Sequence, residues 1–237
     1  MTFDDNYIKL LKDILENGRW EETRTGEPCK SVFTRILDAG EMRWGSMPIS
    51  NLRKIYYKGA LIETLWFLGL HAKDEKYKKL PITNVKYLHD NGVHYWDKWI
   101  DEDGNLGPVY GEQLTRWKRQ SLVEDPMDGE TSVSFEFINQ IQYIIDTLRK
   151  NPNDRRLITN LWNPAEIDKM ALPPCHYGMQ FNSREVSDGS GGVKRKLDLT
   201  WIQRSCDFPI GIPYNVIQYA IIQKIVAACT NHEPGRL

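Results

Sequence analysis

The stretch Lys196-Leu-Asp-Leu-Thr-Trp-Ile-Gln203 alternates polar and apolar side chains, the period-two pattern of a half-buried strand. Beyond it, Pro213 to Cys229 carries Val216, Ile217, Tyr219, Ala220, Ile221, Ile225, Val226 and Ala228 on most sides, which predicts a buried core helix. Working outward, Tyr177 to Phe181 and Leu157 to Trp162 read as further strands, with Ser187 to Gly192 as a flexible hairpin tip. Ser134 to Lys150 places Phe135, Phe137, Ile138, Ile141, Ile144, Ile145 and Leu148 on one helical face with a basic last turn, so a single amphipathic helix is expected there. Asn51 to Leu70 has the spacing of a buried helix, with Glu63 inside it. Asp4 to Asn17 has that of a surface helix stopped by Asn17-Gly18. Ser31 to Asp38 reads as β-rich, Lys73 to Lys79 as a solvated loop, and Asp101 to Pro108 as turns. Helices and strands mix without a βαβ rhythm, repeat or linker. The expected fold is therefore α+β, one domain over 1–237 around a mixed sheet flanked by helices.

The 237 residues are 41% apolar and 27% charged, enough for one large core. Balanced charge, 31 basic against 32 acidic residues, argues against a surface given over to nucleic acid or anionic lipid, so an anionic partner would be met by a few placed arginines. No apolar run approaches the roughly 18–20 residues of a membrane span, and the first helix is too acidic for a signal peptide. A cytoplasmic protein is expected. Cys29, Cys175, Cys206 and Cys229 are scattered and form no CxxC pair, as reduced thiols would be.

Cys175 follows two prolines and precedes His176, so a fixed backbone presents one thiol. It becomes a nucleophile only if a neighbour such as arginine favours the thiolate, and it is otherwise an inert buried cysteine. Cys175, His176 and Cys206 lack the paired spacing of a zinc site, and no metal is expected. Gln203-Arg-Ser-Cys-Asp207 concentrates polar groups at a strand end, either as a site or as a surface ion pair. Arg155-Arg156 is either solvated or a phosphate clamp. Glu63, in an apolar helix, needs a partner, a water or a substrate. Asn215, at the start of the last helix, reads by itself as an N-cap.

Together, Leu106-Gly-Pro-Val-Tyr-Gly111, Asn153-Asp-Arg-Arg156, Leu161-Trp-Asn-Pro164, Met170-Ala-Leu-Pro-Pro-Cys-His176, Gln203-Arg-Ser-Cys-Asp207 and Gly211-Ile-Pro-Tyr-Asn215 resemble the thymidylate synthases. Arg24-Thr-Gly26 and Glu63-Thr-Leu-Trp-Phe-Leu68 add to the likeness, which runs from about Tyr7 to Leu237. The resemblance implies methylation of dUMP with 5,10-methylenetetrahydrofolate as carbon and hydride donor. It makes Cys175 the nucleophile toward C6 and gives catalytic parts to Glu63, Arg204, Tyr110, His176 and Asp207. The nucleotide would be held by Gln203, Ser205, Asp207 and Asn215, with its phosphate among Arg24, Arg155, Arg156 and Arg204. The folate would lie against Arg53, Trp96, Trp99, Leu172, Asp207, Ile210, Gly211 and Tyr214. The family is a two-fold homodimer in which Arg155 and Arg156 cross to the twin's phosphate site.

Three departures accompany the likeness. Arg53 ends a segment, Pro48-Ile-Ser-Asn-Leu-Arg53, that replaces a threonine-rich stretch ending in lysine. Tyr95 stands where a small aliphatic residue is usual, and the Ser187 to Lys196 hairpin is longer than usual. The chain also stops at Glu233-Pro-Gly-Arg-Leu237, before the family's Asp-x-His-x-Tyr strand and closing C-terminus, so a domain truncated at that side is expected. The alternatives are a pyrimidine-nucleotide hydroxymethylase of the same superfamily, in which water finishes the reaction, and a non-catalytic nucleotide-binding homologue.

Overall fold

A computed structural model of the chain describes residues 2–23, 26–124, 127 and 131–237. Helix α1 (Phe3–Asn17) opens with a capping box: the Asp5 backbone N–H donates to Thr2 Oγ1 at 3.2 Å, and the Thr2 N–H donates to Asp5 Oδ2 at 2.8 Å. Strands β1 (Arg19–Glu21) and β2 (Cys29–Ser31) then form a short antiparallel ribbon. The β-rich reading of Ser31 to Asp38 fails beyond Ser31. Thr34 takes a φ of 55°, which interrupts an extended backbone, and Phe33 and Ile36 remain 95% and 90% exposed.

Two nearly all-apolar helices, α2 (Tyr57–Phe67) and α6 (Gly211–Cys229), pack against each other at the centre. Ala60, Ile62 and Trp66 from one and Val216, Ile217 and Ala220 from the other are buried in the core. Burial on most sides explains their composition, and it makes any polar side chain in their seam conspicuous. Between them in sequence lie the short helices α3 (Lys86–Asp90) and α4 (Tyr110–Thr115). The turn before α4 requires Gly107, at φ 69°, because a Cβ there would sit 2.1 Å from the Lys169 carbonyl oxygen.

Ser134 to Lys150 is not one helix. Strand β4 (Thr131–Ile138) pairs antiparallel with β3 (Trp117–Glu124), and helix α5 (Gln140–Lys150) begins only after Asn139, whose side chain caps it by accepting from the Gln142 N–H at 2.9 Å. Val133, Phe135 and Phe137 alternate with Ser134 and Glu136 in period two, and that register takes precedence over the helical spacing that begins at Ile141.

The main sheet is four-stranded, in the order β5 (Ile158–Asn160), β6 (His176–Ser187), β7 (Val193–Gln203), β8 (Glu233–Pro234). The first three pair antiparallel and β8 is parallel to β7, which gives the mixed sheet expected. Met179, Phe181, Leu197 and Leu199 share the buried face. Helix α6 crosses that face, and the Gln223 amide donates to the Leu197 and Arg236 carbonyls at 2.9 and 3.0 Å, tying the helix, β7 and the segment after β8 together. The opposite face stays open, with Ile158 and Ile202 55% and 42% exposed.

Candidate functional site

The Pro173-Pro174-Cys175 turn lacks backbone donors at its prolines, and their carbonyls are met from outside. Arg204 Nε donates to the Pro174 carbonyl at 2.9 Å and Nη2 to that of Pro173 at 3.0 Å, and the guanidinium lies over the Trp162 ring at 5.2 Å. The Arg204 backbone N–H donates to the Cys175 carbonyl at 2.9 Å, and the Cys175 N–H donates to the Tyr110 hydroxyl at 2.9 Å. Thus Arg204 braces the backbone of the turn, and the Tyr110 hydroxyl, at the start of α4, holds it at Cys175. A bulge follows, His176 facing Gln203 and Gly178 facing Ile202, so Tyr177 has no partner on β7 and the strand bends beside Cys175. Cys175 is half-buried, while Cys29, Cys206 and Cys229 are exposed, and all are free thiols.

His176 is buried among aromatic rings, 5.4 Å from Tyr110, 5.5 Å from Tyr219 and 6.3 Å from Phe67 between centroids. Its Nδ1 shares a 3.0 Å hydrogen bond with the Tyr219 hydroxyl. Burial pushes the imidazole down to about 4, so the ring is neutral at pH 7. A depressed histidine pKa adds stability that is complete above its ordinary 6.5 and is lost as pH falls toward 4, up to roughly 3 kcal/mol. Glu63 works in the opposite sense. Burial raises its carboxyl from 4.5 to about 7, so its contribution is complete below 4.5 and is lost as pH rises to 7. Between pH 7 and 4.5 the two contributions oppose each other, and His176→Gln separates them: denaturant titrations should show the variant gaining stability on acidification relative to the wild type, and an unchanged pH dependence would contradict the buried neutral ring.

Glu63 sits in the α2–α6 seam and has the partners its position demands. Trp96 Nε1 donates to Oε1 and Gln218 Nε2 donates to Oε2, each at 2.6 Å, and the Tyr95 hydroxyl also contacts the carboxyl. Gln218 accepts at Oε1 from Asn215 Nδ2 at 3.0 Å, Asn215 Oδ1 accepts from Gln203 Nε2 at 3.2 Å, and Gln203 Oε1 accepts from Trp201 Nε1 at 2.7 Å. Since α6 starts at Gly211, Asn215 is no N-cap and its amide belongs to this chain of bonds. Sequence reasoning missed Gln218 and Trp201. An amide among Val216, Ile217, Tyr219 and Ala220 carries the same signal that singled out Glu63.

The family model for thymidylate synthase matches residues 5–237. The chain belongs to the thymidylate synthase family.

The other residues assigned through that family are distributed as follows. Arg24 lies outside the described residues. Arg155 and Arg156 are exposed, and Asp154 holds Arg156 through Nε and Nη2 at 3.0 and 2.7 Å. Ile158 pairs with Gln180 and the Phe181 N–H donates to the Leu157 carbonyl, so Arg156 lies level with Asn182. At about 3.3 Å per residue that is roughly 20 Å along β6 from Cys175. One chain therefore does not bring Arg155 and Arg156 to its own thiol. Ser205 is exposed beside Arg204.

Trp96 is buried, and Trp99, half-exposed, meets it edge-on at 6.0 Å and 69°. Asp207 Oδ1 accepts from the Ile210 N–H at 3.0 Å and its carbonyl from the Gly211 N–H at 2.7 Å, which shapes the entry to α6. Arg53 donates to the Pro209 carbonyl in the same loop at 3.1 Å, and the Tyr214 hydroxyl accepts from the Tyr56 N–H at 3.2 Å. Ile210 is exposed, and Leu172 packs at the edge of the core. Arg53, Asp207, Ile210, Gly211 and Tyr214 thus gather at one end of α6. Among the described residues, the cluster able to hold a metal is His89, His94 and Asp97, which includes neither Cys175 nor His176 nor Cys206. Among the described residues no helix is long and apolar enough to cross a membrane.

Proposed function

We propose that the chain is a thymidylate synthase domain that methylates dUMP to dTMP, working as a cytoplasmic homodimer with Cys175 as its nucleophile. One observation carries this reading. The β6–β7 pairing supports it by setting the backbone of Cys175 beside Gln203, whose amide bonds to Asn215, since His176 faces Gln203 and the Arg204 N–H donates to the Cys175 carbonyl. A nucleophile and a group able to read a pyrimidine edge therefore share one end of the sheet.

The Cys175 sulfur adds to C6 of the uracil, and the displaced electron pair moves onto O4, so that C5 becomes nucleophilic. Asn215 donates to O4 and accepts from N3–H, a pattern that uracil matches and cytosine reverses. Glu63, with its carboxyl at about 7, can give or take a proton at neutral pH on the O4 side of the ring. After transfer, loss of the C5 proton and departure of the sulfur restore the ring and the free thiol. Arg204 and Ser205 hold the phosphate with Arg24, while Arg155 and Arg156 come from a second copy of the chain. The open sheet face bearing Ile158 and Ile202 suits that two-fold pairing.

Methylenetetrahydrofolate, when bound, supplies the one-carbon unit and the hydride. The residues present fit it: Trp96, Trp99, Leu172, Ile210 and Tyr214 offer aromatic and apolar walls, Asp207 and Gly211 offer polar atoms to a pterin, and Arg53 offers a charge to its acidic tail. Trp96 also favours methylation over hydroxymethylation, because a buried indole bonded to Glu63 keeps water from the transferred carbon. Incubation with dUMP and methylenetetrahydrofolate should raise the absorbance of dihydrofolate with one dTMP per turnover. Accumulation of tetrahydrofolate would instead select the hydroxymethylase, and nucleotide binding without turnover would select the non-catalytic reading.

A further inference from the structure

The bonded chain from Trp201 to Trp96 has a direction that does not depend on which amide atom is called N and which O. An indole N–H donates and never accepts, and an indole stands at each end. Trp201 Nε1, 2.7 Å from Gln203, requires the Gln203 oxygen on its side, which turns the Gln203 NH₂ toward Asn215. Asn215 must therefore present its oxygen to Gln203 and its nitrogen to Gln218. Gln218, 1% exposed, then presents oxygen to Asn215 and nitrogen to Glu63. From the far end Trp96 requires an acceptor on Glu63 as well, so each carboxylate oxygen takes one donor at 2.6 Å. Every link agrees with the next only in this sense, and reversing one amide sets two donors or two acceptors against each other.

From this geometry we infer that Gln218 is a positioning residue that fixes the direction of the Asn215 amide, so that the choice of uracil over cytosine is set in the α2–α6 seam and not by Asn215 alone. The inference rests on the reading that Asn215 faces the pyrimidine. Without the Gln218 oxygen the Asn215 nitrogen loses its acceptor in the seam, and only the 3.2 Å bond from Gln203 still resists a reversed amide. The side chain can then turn over and offer the donor and acceptor pattern that cytosine satisfies. An apolar residue at position 218 would have served the core of α6 better, and the buried amide is retained at the desolvation cost that such groups carry. Gln218 touches no substrate atom and acts through its two neighbours. The other titratable groups that interact with Glu63 are Tyr95, Tyr110 on α4 and Tyr219 on α6.

The test uses the whole chain and Gln218→Met, which keeps the volume and removes the amide, with Gln218→Glu as a second variant of nearly the same shape that keeps acceptors and lacks the donor. Calorimetric titration with dUMP and dCMP should show the wild-type preference for dUMP falling about tenfold or more in Gln218→Met. In parallel, a carbon-13 titration of the Glu63 carboxyl, assigned with Glu63→Gln, should move up by about one pH unit or more in both variants, because a donor to the carboxylate has been lost. The titration needs no ligand and reports the Gln218–Glu63 bond, while the nucleotide preference reports the hold on Asn215. An unchanged nucleotide preference in folded Gln218→Met overturns the role of Gln218, whatever the Glu63 titration does. A wild-type chain that does not prefer dUMP overturns the functional reading itself and the specificity role with it.

Discussion

Cys175→Ala should abolish methylation, with kcat falling by at least about 10⁴-fold, while the chain still folds and still binds dUMP through its arginines and amides. The size follows from the division of labour: removing the nucleophile removes the route that makes C5 reactive, and no buried packing is disturbed because the thiol is only half-buried at the end of β6. 5-Fluoro-dUMP with methylenetetrahydrofolate makes the test sharp, since fluorine at C5 cannot leave as a proton and the sulfur stays attached. Mass spectrometry should find the adduct on the wild-type Cys175 peptide and none on the variant. An adduct on Cys175→Ala would assign the nucleophile to another residue.

At dUMP near the wild-type KM or below it, Arg156→Ala alone should be strongly impaired and Cys175→Ala alone inactive, yet mixing and re-annealing the two should restore about a quarter of the wild-type activity, because half of the dimers are mixed and each of those has one intact site. The motive is distance. Arg156 lies level with Asn182 on the ladder, roughly 20 Å from the thiol of its own chain, too far to share one phosphate with it. Losing a bidentate guanidinium from a phosphate weakens binding by about 10- to 100-fold, so the single variant should show the loss mainly in KM. Recovered activity with wild-type KM supports sites built by two chains. If the mixture stays inactive while hybrid dimers form, the phosphate is held within one chain.

The strand and helix from Lys196 to Cys229 were legible because their periods are long and unbroken, and the Pro-Pro-Cys-His and Gln-Arg-Ser-Cys-Asp blocks led to residues that do converge around β6, β7 and α6. Ser134 to Ile138 was not legible. Phe135, Phe137 and Ile138 fit a helical face on spacing alone, and only the pairing of β4 with β3 shows that the alternation with Ser134 and Glu136 governs. At Ser31 to Asp38 the apolar residues suggested a strand, but a strand exists only where it has a partner, and Thr34 turns the backbone away. The part played by Arg204 was half visible. Its nearness to Cys175 could be anticipated from the motif, whereas its bonds to Pro173 and Pro174 depend on the β6–β7 register, which no single motif contains. Gln218 was hidden for a related reason, since its partners lie on α2 and one turn back on its own helix.

The hold of Arg204 on the two prolyl carbonyls has a consequence for what can change at this site. A guanidinium has five N–H groups, and the turn occupies one on Nε and one on Nη2, leaving the remainder of a rigid plane to face an incoming anion. Lysine would keep the charge but has neither the span for both carbonyls nor a plane to lie on Trp162. Any shift of the guanidinium toward an anion therefore moves the Pro173–Pro174 backbone, and the sulfur with it. Under the proposed function, grip on the charged end of the nucleotide and aim of the thiol become one degree of freedom, so a lineage that altered how tightly this arginine held a phosphate would at the same stroke alter where the thiol points.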